Sequence, residues 1–244
     1  MQDDNLDYHQ TVPYKVRDYI KCRTAIDELL DGIDLSENLN EPDREKRIFG
    51  EVIKRLAEKI SYDYDSYEKI MKEIPVSDDC ANMVGGLLNN TCICSGYAEI
   101  VRNVFSCCGI QVRYISGDNI NPKKRGHAWN QIKLDGVWYN IDLTWDRDRI
   151  VAGEMPLYLL KSDRDFENHN EYNIEDCKKE QCNETVSYED MKRYLYKEVE
   201  IPKTVESALR MTSNSGVEKA YEMLASSQAL RDESPEKREE QWMQ

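Results

Sequence analysis

The dipeptide Asp135-Gly136 lies between two runs rich in β-branched and aromatic residues, which cover residues 126–134 and 137–145. Asp-Gly at the centre of such a pattern is typical of a two-residue turn between antiparallel strands. That turn pairs Leu134 with Val137. The sequence therefore predicts a β-hairpin whose register is set by its turn.

The register of this hairpin brings a histidine and an acid together. The same count outward from the turn places His127 opposite Thr144 and Trp129 opposite Asp142. Because side chains alternate between the two faces of a strand, His127 and Asp142 share a face as diagonal neighbours, ~7 to 8 Å apart at the backbone. At that distance a carboxylate can accept a hydrogen bond from an imidazole nitrogen.

A cysteine at the start of a predicted helix supplies the group that such a histidine can activate. Helically spaced apolar residues follow Cys94, and Gly109 provides a natural C-terminal stop. The unsatisfied N–H groups at a helix start favour a thiolate and can lower the thiol pKa below ~8.5. With His127 and Asp142, Cys94 predicts a thiolate-imidazolium pair in which the acid fixes the tautomer and stabilises the cation.

Three segments around these residues resemble the core motifs of the transglutaminase-like superfamily, in the order Cys, His, Asp. The bacterial members are the most similar, because their pattern has further matches before and after this block. The resemblance extends over roughly residues 45–170. The three segments are Cys94-Ser-Gly-Tyr-Ala-Glu99, Gly126-His-Ala-Trp-Asn130 and Asp135-Gly-Val-Trp-Tyr-Asn-Ile-Asp-Leu-Thr-Trp-Asp146, and the further matches are Tyr62-Asp63, Gly85-Gly-Leu87 and Tyr158-Leu-Leu-Lys-Ser-Asp163.

The resemblance implies an α+β fold with a papain-like core. The nucleophile would lie on a central helix packed against an antiparallel sheet that carries the histidine and the acid. On this basis we expect an N-terminal helical extension at residues 1–44, a transglutaminase-like catalytic core at residues 45–170, and a C-terminal helical extension with a charged tail at residues 171–244.

The resemblance also implies acyl transfer through a thioester, carried by a catalytic triad of Cys94, His127 and Asp142 without a cofactor. Cys94 would attack a glutamine carboxamide or a peptide carbonyl, and His127 would protonate the departing amine. An amine or water would then release the acyl group. The Cys94 backbone N–H is the first expected oxyanion donor, and the resemblance suggests the Tyr62 hydroxyl as a second.

The residues leave the reaction type open. A cysteine peptidase or deamidase would use the same triad, since these enzymes differ from a transglutaminase in the acceptor and in the fit of the substrate. A hypothesis of another class is a non-catalytic interaction module that holds a protein partner in the groove beside Cys94. Trp129 is a candidate for the wall of a substrate groove, although aromatic residues on hairpins more often pack a sheet.

No metal site is expected from the sequence. The two close cysteine pairs, Cys92 with Cys94 and Cys177 with Cys182, lack the further ligands that a zinc site needs. The other histidines, His9 and His169, fall in unrelated segments. The acidic clusters have no twelve-residue loop with the ligand spacing that calcium requires.

Composition disfavours several kinds of partner. Lys and Arg total 33 against 47 Asp and Glu, and the formal charge of −14 disfavours nucleic acid binding. No apolar run approaches the ~18 to 20 residues of a membrane helix, and the N-terminus lacks the features of a secretory signal. The eight irregularly spaced cysteines are expected to be mostly reduced. We therefore expect a cytoplasmic protein that acts on a protein or peptide substrate, with its oligomeric state left open.

Periodicity predicts the remaining elements of the chain. Segments outside these elements, including residues 116–125, are expected to be loops. Helices are expected over residues 12–31, 41–60, 67–74, 94–108, 187–197 and 216–230, and strands over residues 110–115, 126–134, 137–145 and 158–161.

Overall fold

The structure of the protein is a computed structural model that describes residues 16–35, 43–119, 126–171 and 179–196. Helices and an antiparallel sheet together give the α+β fold that the sequence predicted. The helix expected at residues 216–230 lies outside the described residues. In chain order the elements are α1 (Val16–Leu30), α2 (Arg44–Lys59), β1 (Ser61–Tyr62), α3 (Tyr64–Met71), a 3₁₀ turn (Asp78–Ala81), α4 (Met83–Leu88), β2 (Thr91–Cys92), α5 (Cys94–Cys107), β3 (Val112–Asn119), β4 (His127–Leu134), β5 (Val137–Ile141), α6 (Leu143–Val151), β6 (His169–Glu171) and α7 (Tyr188–Tyr196).

Helix α2 forms the centre of the helical layer. Its residues Ile48, Val52 and Leu56 recur at helical spacing and are almost completely buried. Burial of one such side chain stabilises the fold by about 1.5 to 3 kcal/mol. Helices α1 and α7 pack against α2, which confirms the described parts of the helices predicted at residues 12–31 and 187–197.

Helix α5 lies between α4 and the sheet. Its inward residues, which include Tyr97, Ile100 and Phe105, are buried, and the helix packs on β3 and β4. The chain leaves the helix through Gly109, whose φ of 75° is in the left-handed region that glycine tolerates. The predicted helix that begins at Cys94 and packs on an antiparallel sheet is therefore confirmed.

Four strands form the antiparallel sheet in the order β5-β4-β3-β6. The β4–β5 hairpin has the predicted register, with Leu134 opposite Val137. Asp135 and Gly136 have φ values of 50° and 85°, which a two-residue turn of this type requires.

The second strand of the hairpin is shorter than predicted. Strand β5 ends at Ile141, because the Asp142 carboxylate accepts a hydrogen bond from the Trp145 N–H and caps helix α6. Thr144 is therefore helical, and its predicted pairing with His127 is wrong. The ladder also stops one pair short of the predicted contact between Trp129 and Asp142.

Other elements also differ from the sequence-based expectation. Helix α3 begins at Tyr64, since the Asp63 side chain accepts the Ser66 N–H and caps it there. Residues 158–161 do not form the predicted strand, and they contribute one isolated bridge, between Asn140 and Lys161. Strand β6 falls where a loop was expected and pairs with the end of β3.

Two properties of the described ranges bear on the environment of the protein. No helix within them combines the length and the apolar character needed to cross a membrane. The cysteines that they contain are all free thiols, as expected from their irregular spacing.

Candidate active site

Cys94 is the first residue of helix α5, where the first N–H groups of a helix lack intrahelical partners. Its thiol is free and the residue is partly exposed. Gly96 allows a close approach of this helix end, since a Cβ there would lie 2.7 Å from the Cβ of Cys92. The Tyr97 hydroxyl donates to the Ile60 carbonyl over 2.8 Å and anchors the same turn from the inside. The sulfur is therefore held at the positive end of a buried helix.

His127 begins strand β4 and contacts both the cysteine and the acid. Its Nε2 lies 2.6 Å from Asp142 Oδ2, and the Cys94 thiol lies close enough to raise the pKa of the imidazole. Because Nε2 is engaged with the acid, Nδ1 is the nitrogen left for the sulfur. The fold thus brings together the three residues that the sequence predicted as a triad.

The charges of this group stabilise each other. Burial lowers the pKa of His127, but the hydrogen bond to Asp142 and the nearby Cys94 thiol raise that pKa to about 9. Burial raises the pKa of the Asp142 carboxyl, but hydrogen bonds from His127 and His169 and their charges hold that pKa at about 2. At neutral pH the pair therefore consists of an imidazolium and a carboxylate.

Asp142 is held in one orientation by its backbone as well as its side chain. Its Oδ1 accepts the Trp145 N–H over 3.2 Å, and its own N–H donates to the Tyr158 carbonyl over 2.9 Å. The side chain is 1% exposed. As the N-cap of α6, the carboxylate also lies at the positive end of a helix, which favours its charge.

A second histidine, His169, contacts the same acid, and the sequence analysis missed it. Its Nε2 lies 3.0 Å from Asp142 Oδ2, and its side chain is 1% exposed. Strand β6 brings the ring there by pairing His169 with Asn119 at the end of β3. The expectation that His169 belongs to an unrelated segment is therefore wrong. The available signal was that His169 and His127 are the two histidines within the region of resemblance.

Aromatic rings enclose both histidines. Trp145 stacks on His127 with ring centroids 4.8 Å apart, and Phe166 stacks on His169 at 3.9 Å. Trp129 lies behind His127, with ring centroids 5.8 Å apart, and is 2% exposed. That burial favours packing of the sheet over a role in the wall of a substrate groove.

Tyr62 lies on the cysteine side of the site. Strand β1 pairs in parallel with β2, so that Tyr62 is opposite Cys92, two residues before Cys94. Burial, together with negative charge at Cys94, raises the pKa of the Tyr62 phenol far above its usual value. The hydroxyl therefore remains a hydrogen-bond donor at neutral pH, as an oxyanion donor must; that role stays a prediction.

Asp146 anchors the segment that passes behind Asp142. Its two carboxylate oxygens accept the N–H groups of Leu157 and Tyr158 over 2.7 and 2.6 Å. Burial raises the pKa of Asp146 to about 7, against the opposite effect of those two donors. These bonds fix the Tyr158 carbonyl that receives the Asp142 N–H.

Among the described residues, the ligand atoms of His127, Asp142 and His169 lie within 4.8 Å of one another, close enough to be considered for a metal. The His127 to Asp142 separation of 2.6 Å is shorter than the distance of about 3.3 Å between neighbouring ligand atoms of a tetrahedral zinc ion. The distances instead fit two hydrogen bonds to one shared carboxylate oxygen.

One protein-family model matches the chain. Residues 33–143 match the model of the transglutaminase-like superfamily, so the resemblance inferred from the sequence motifs is confirmed. The matched range includes Cys94, His127 and Asp142 and ends before His169. None of the curated proteins compared with the chain matches it.

Two solved structures are similar to part of the chain. A crystal structure of a TGase is 18% identical, with a TM-score of 0.44, and the match covers 56% of this chain and 36% of that one. A candidate cysteine protease from Cytophaga hutchinsonii is 16% identical, with a TM-score of 0.34, and the match covers 52% of this chain and 37% of that one. The match thus spans little more than a third of either structure's length.

Proposed function

We propose that the protein is a thiol acyltransferase or hydrolase of the transglutaminase-like type that acts on protein or peptide amides. The observation that supports this most directly is the buried contact of 2.6 Å between His127 Nε2 and Asp142 Oδ2, with the Cys94 thiol close enough to the same imidazole to raise its pKa. A histidine held between an acid and a thiol generates a thiolate nucleophile at neutral pH.

In the first half of the proposed reaction, the Cys94 sulfur attacks the amide carbonyl carbon and forms a tetrahedral intermediate. The His127 imidazolium then gives its Nδ1 proton to the departing nitrogen. The C–N bond breaks, ammonia or an amine leaves, and the acyl group remains on the sulfur as a thioester. Asp142 keeps Nε2 protonated and the ring oriented throughout.

In the second half, neutral His127 accepts a proton from water or from a primary amine as that molecule attacks the thioester carbonyl. The C–S bond breaks, and the thiolate and the imidazolium of His127 are restored. Attack by water gives hydrolysis, and attack by an amine gives a new amide. The reaction type therefore depends on which acceptor reaches the thioester.

Two donors are proposed for the negative oxygen of the tetrahedral intermediates. The Cys94 N–H is at the first position of α5, where backbone N–H groups have no partner within the helix. The Tyr62 hydroxyl is the second, because it remains protonated and lies on the same side of the site. Each would strengthen its hydrogen bond as charge develops on the oxygen.

Incubation with a glutamine-containing protein and a labelled primary amine tests the proposal. Mass spectrometry then reports amine incorporation for transfer, conversion of an amide to an acid for deamidation, or chain cleavage for proteolysis. Any of these products should require Cys94, so Cys94→Ala should abolish it. A broad panel of substrates left unchanged by the native protein would instead favour the non-catalytic interaction module.

A further inference from the structure

Both ring nitrogens of His169 contact acceptor atoms, although the proposed reaction assigns this residue no role. Nδ1 lies 2.9 Å from the backbone carbonyl oxygen of Glu167, and Nε2 lies 3.0 Å from Asp142 Oδ2. A carbonyl oxygen can only accept a hydrogen bond, and an ionised carboxylate can only accept as well. A neutral imidazole carries one N–H, so it would leave one of the two contacts without a proton. An imidazolium donates to both.

We propose that His169 is a buried imidazolium and a positioning residue that holds Asp142 ionised and oriented toward His127. The catalytic consequence rests on the function proposed above, whereas the protonation of the ring does not. Oδ2 of Asp142 then receives one N–H from each histidine, and Oδ1 receives the Trp145 N–H. A carboxylate with three donors has little freedom to rotate away from His127.

The surroundings of His169 suit a cation. Its ring stacks on Phe166 at 3.9 Å and lies 4.4 Å from the ring of Trp145 and 4.9 Å from that of Trp129, between centroids. Aromatic faces attract a cation, and the attraction is stronger where water is excluded. The side chain is 1% exposed, so Asp142 and these rings replace the water that would otherwise stabilise the charge.

The titratable groups that face His169 come from several elements. Asp142 at the start of α6 supplies the negative charge, and His127 of β4 lies 5.5 Å away between ring centroids. The Tyr158 ring, from the segment after α6, is also 5.5 Å away. Asp146, one turn further along α6, is a second carboxyl near Asp142, and burial raises its pKa to about 7. Asp142 therefore lies between two cations.

The proposed charge on His169 repels the His127 imidazolium, and this repulsion predicts the direction in which the pKa of His127 shifts when the charge is removed. At 5.5 Å, with an effective dielectric constant between that of water and that of a protein surface, the repulsion corresponds to about 0.5 to 2 pH units. Removal of the charge at residue 169 should therefore raise the pKa of His127. A residue that only filled space would leave that pKa unchanged.

The first experiment is a ¹⁵N NMR measurement on the full chain labelled at histidine, with His169 assigned by comparison with His169→Phe. We expect both ring nitrogens of His169 to carry protons at pH 7. A single protonated nitrogen would overturn the proposal. This result does not depend on whether Cys94 is catalytic. Loss of a ring proton on addition of zinc chloride would assign the three side chains to a metal site and would also overturn it.

The second experiment measures the rate of Cys94 alkylation by iodoacetamide against pH in the native protein, His169→Phe and Phe166→Leu. His169→Phe keeps an aromatic ring in place but removes both hydrogen bonds and the charge. In this variant, the alkaline limb of the rate profile, which reports deprotonation of His127, should move up by about 0.5 to 2 pH units. Phe166→Leu removes one aromatic face but leaves the hydrogen bonds of His169 to Asp142 and Glu167 in place, so its alkaline limb should move less than that of His169→Phe.

The outcomes of the second experiment separate the two proposals. A limb that is unchanged in His169→Phe, or equally shifted in Phe166→Leu, would contradict a positive charge on His169. Slow, pH-independent alkylation of Cys94 in the native protein would instead contradict the proposed function. The NMR experiment would still test whether His169 is protonated.

Discussion

The two ends of helix α5 both carry a cysteine, and the surroundings of the two thiols differ in features that affect thiol reactivity. Cys94 begins the helix, and Cys108 is its C-terminal cap. The Cys108 thiol donates to the Val104 carbonyl over 3.4 Å, and burial together with the charge of Cys107 raises its pKa to about 11. Cys94 instead faces the N-terminal end of the helix dipole and the His127 imidazolium. On the function proposed above, the reactivity of Cys94 comes from its position on the helix and its charged partner.

The largest difference between the two ends should appear in catalysis. Cys94→Ala removes the proposed nucleophile and should lower amide turnover by about 10⁶-fold. Cys108→Ala removes a thiol of the same helix that lacks an imidazolium partner and should change turnover less than about twofold. Turnover of the same peptide substrate by both purified variants checks this. Equal losses in the two variants would mean that the ends of α5 do not differ in function.

A smaller loss of turnover is expected from substitution of Asp142, which holds His127 beside the Cys94 end of helix α5. Asp142→Asn keeps the size of the side chain but no longer stabilises the imidazolium, so turnover should fall by about 10⁴-fold. Asp148→Asn, on the same helix α6 at an exposed carboxylate paired with Arg147, is the matched control. The kcat of each variant on one peptide substrate is the measurement. A similar kcat for Asp142→Asn and Asp148→Asn would contradict the proposed catalytic role of Asp142.

The free energy of unfolding should depend on pH through His127, which lies beside the Cys94 end of helix α5. His127 has a folded pKa of about 9 against an ordinary value of 6.5, so its ion pair stabilises the fold fully below about pH 6.5. That contribution is lost as the pH rises through 9, which should lower the free energy of unfolding by about 2 to 3 kcal/mol. Urea denaturation from pH 6.5 to 9.5 measures it.

Two variants test whether the ion pair of His127 and Asp142 causes this decrease in the free energy of unfolding. Asp142→Asn should remove most of the decrease between pH 6.5 and 9, because the carboxylate is the main cause of the raised pKa of His127. Cys108→Ser should leave the decrease in place, since Cys108 lies at the other end of α5. A native protein whose stability stays constant across this range would argue against a charged pair at His127.

Much of the site was predictable because it depends on local signals. The Asp135-Gly136 turn set the register of β4 and β5, and Gly109 marked the end of the helix that begins at Cys94. Both signals act between neighbours in the chain, so the sequence displays them directly. They sufficed to predict that His127 and Asp142 meet.

The parts that sequence reasoning missed depend on contacts between distant segments or on competing local signals. Asp142 was read as a strand residue because Leu143, Thr144 and Trp145 also suit a strand, whereas its carboxylate caps a helix. His169 reaches the site through a three-residue strand that pairs with β3. Such a short strand has no periodicity of its own, so the sequence offered no pattern that would place the ring beside Asp142.

The most direct test of the account is competitive alkylation of the native protein with limiting iodoacetamide at pH 7, with the rate at each cysteine read by mass spectrometry. With a pKa of about 11, Cys108 is a thiolate in only about one molecule in 10⁴ at this pH. We expect Cys94 to react at least about tenfold faster than Cys108, and His127→Ala to remove most of that advantage. Equal rates at Cys94 and Cys108 in the native protein would contradict the account.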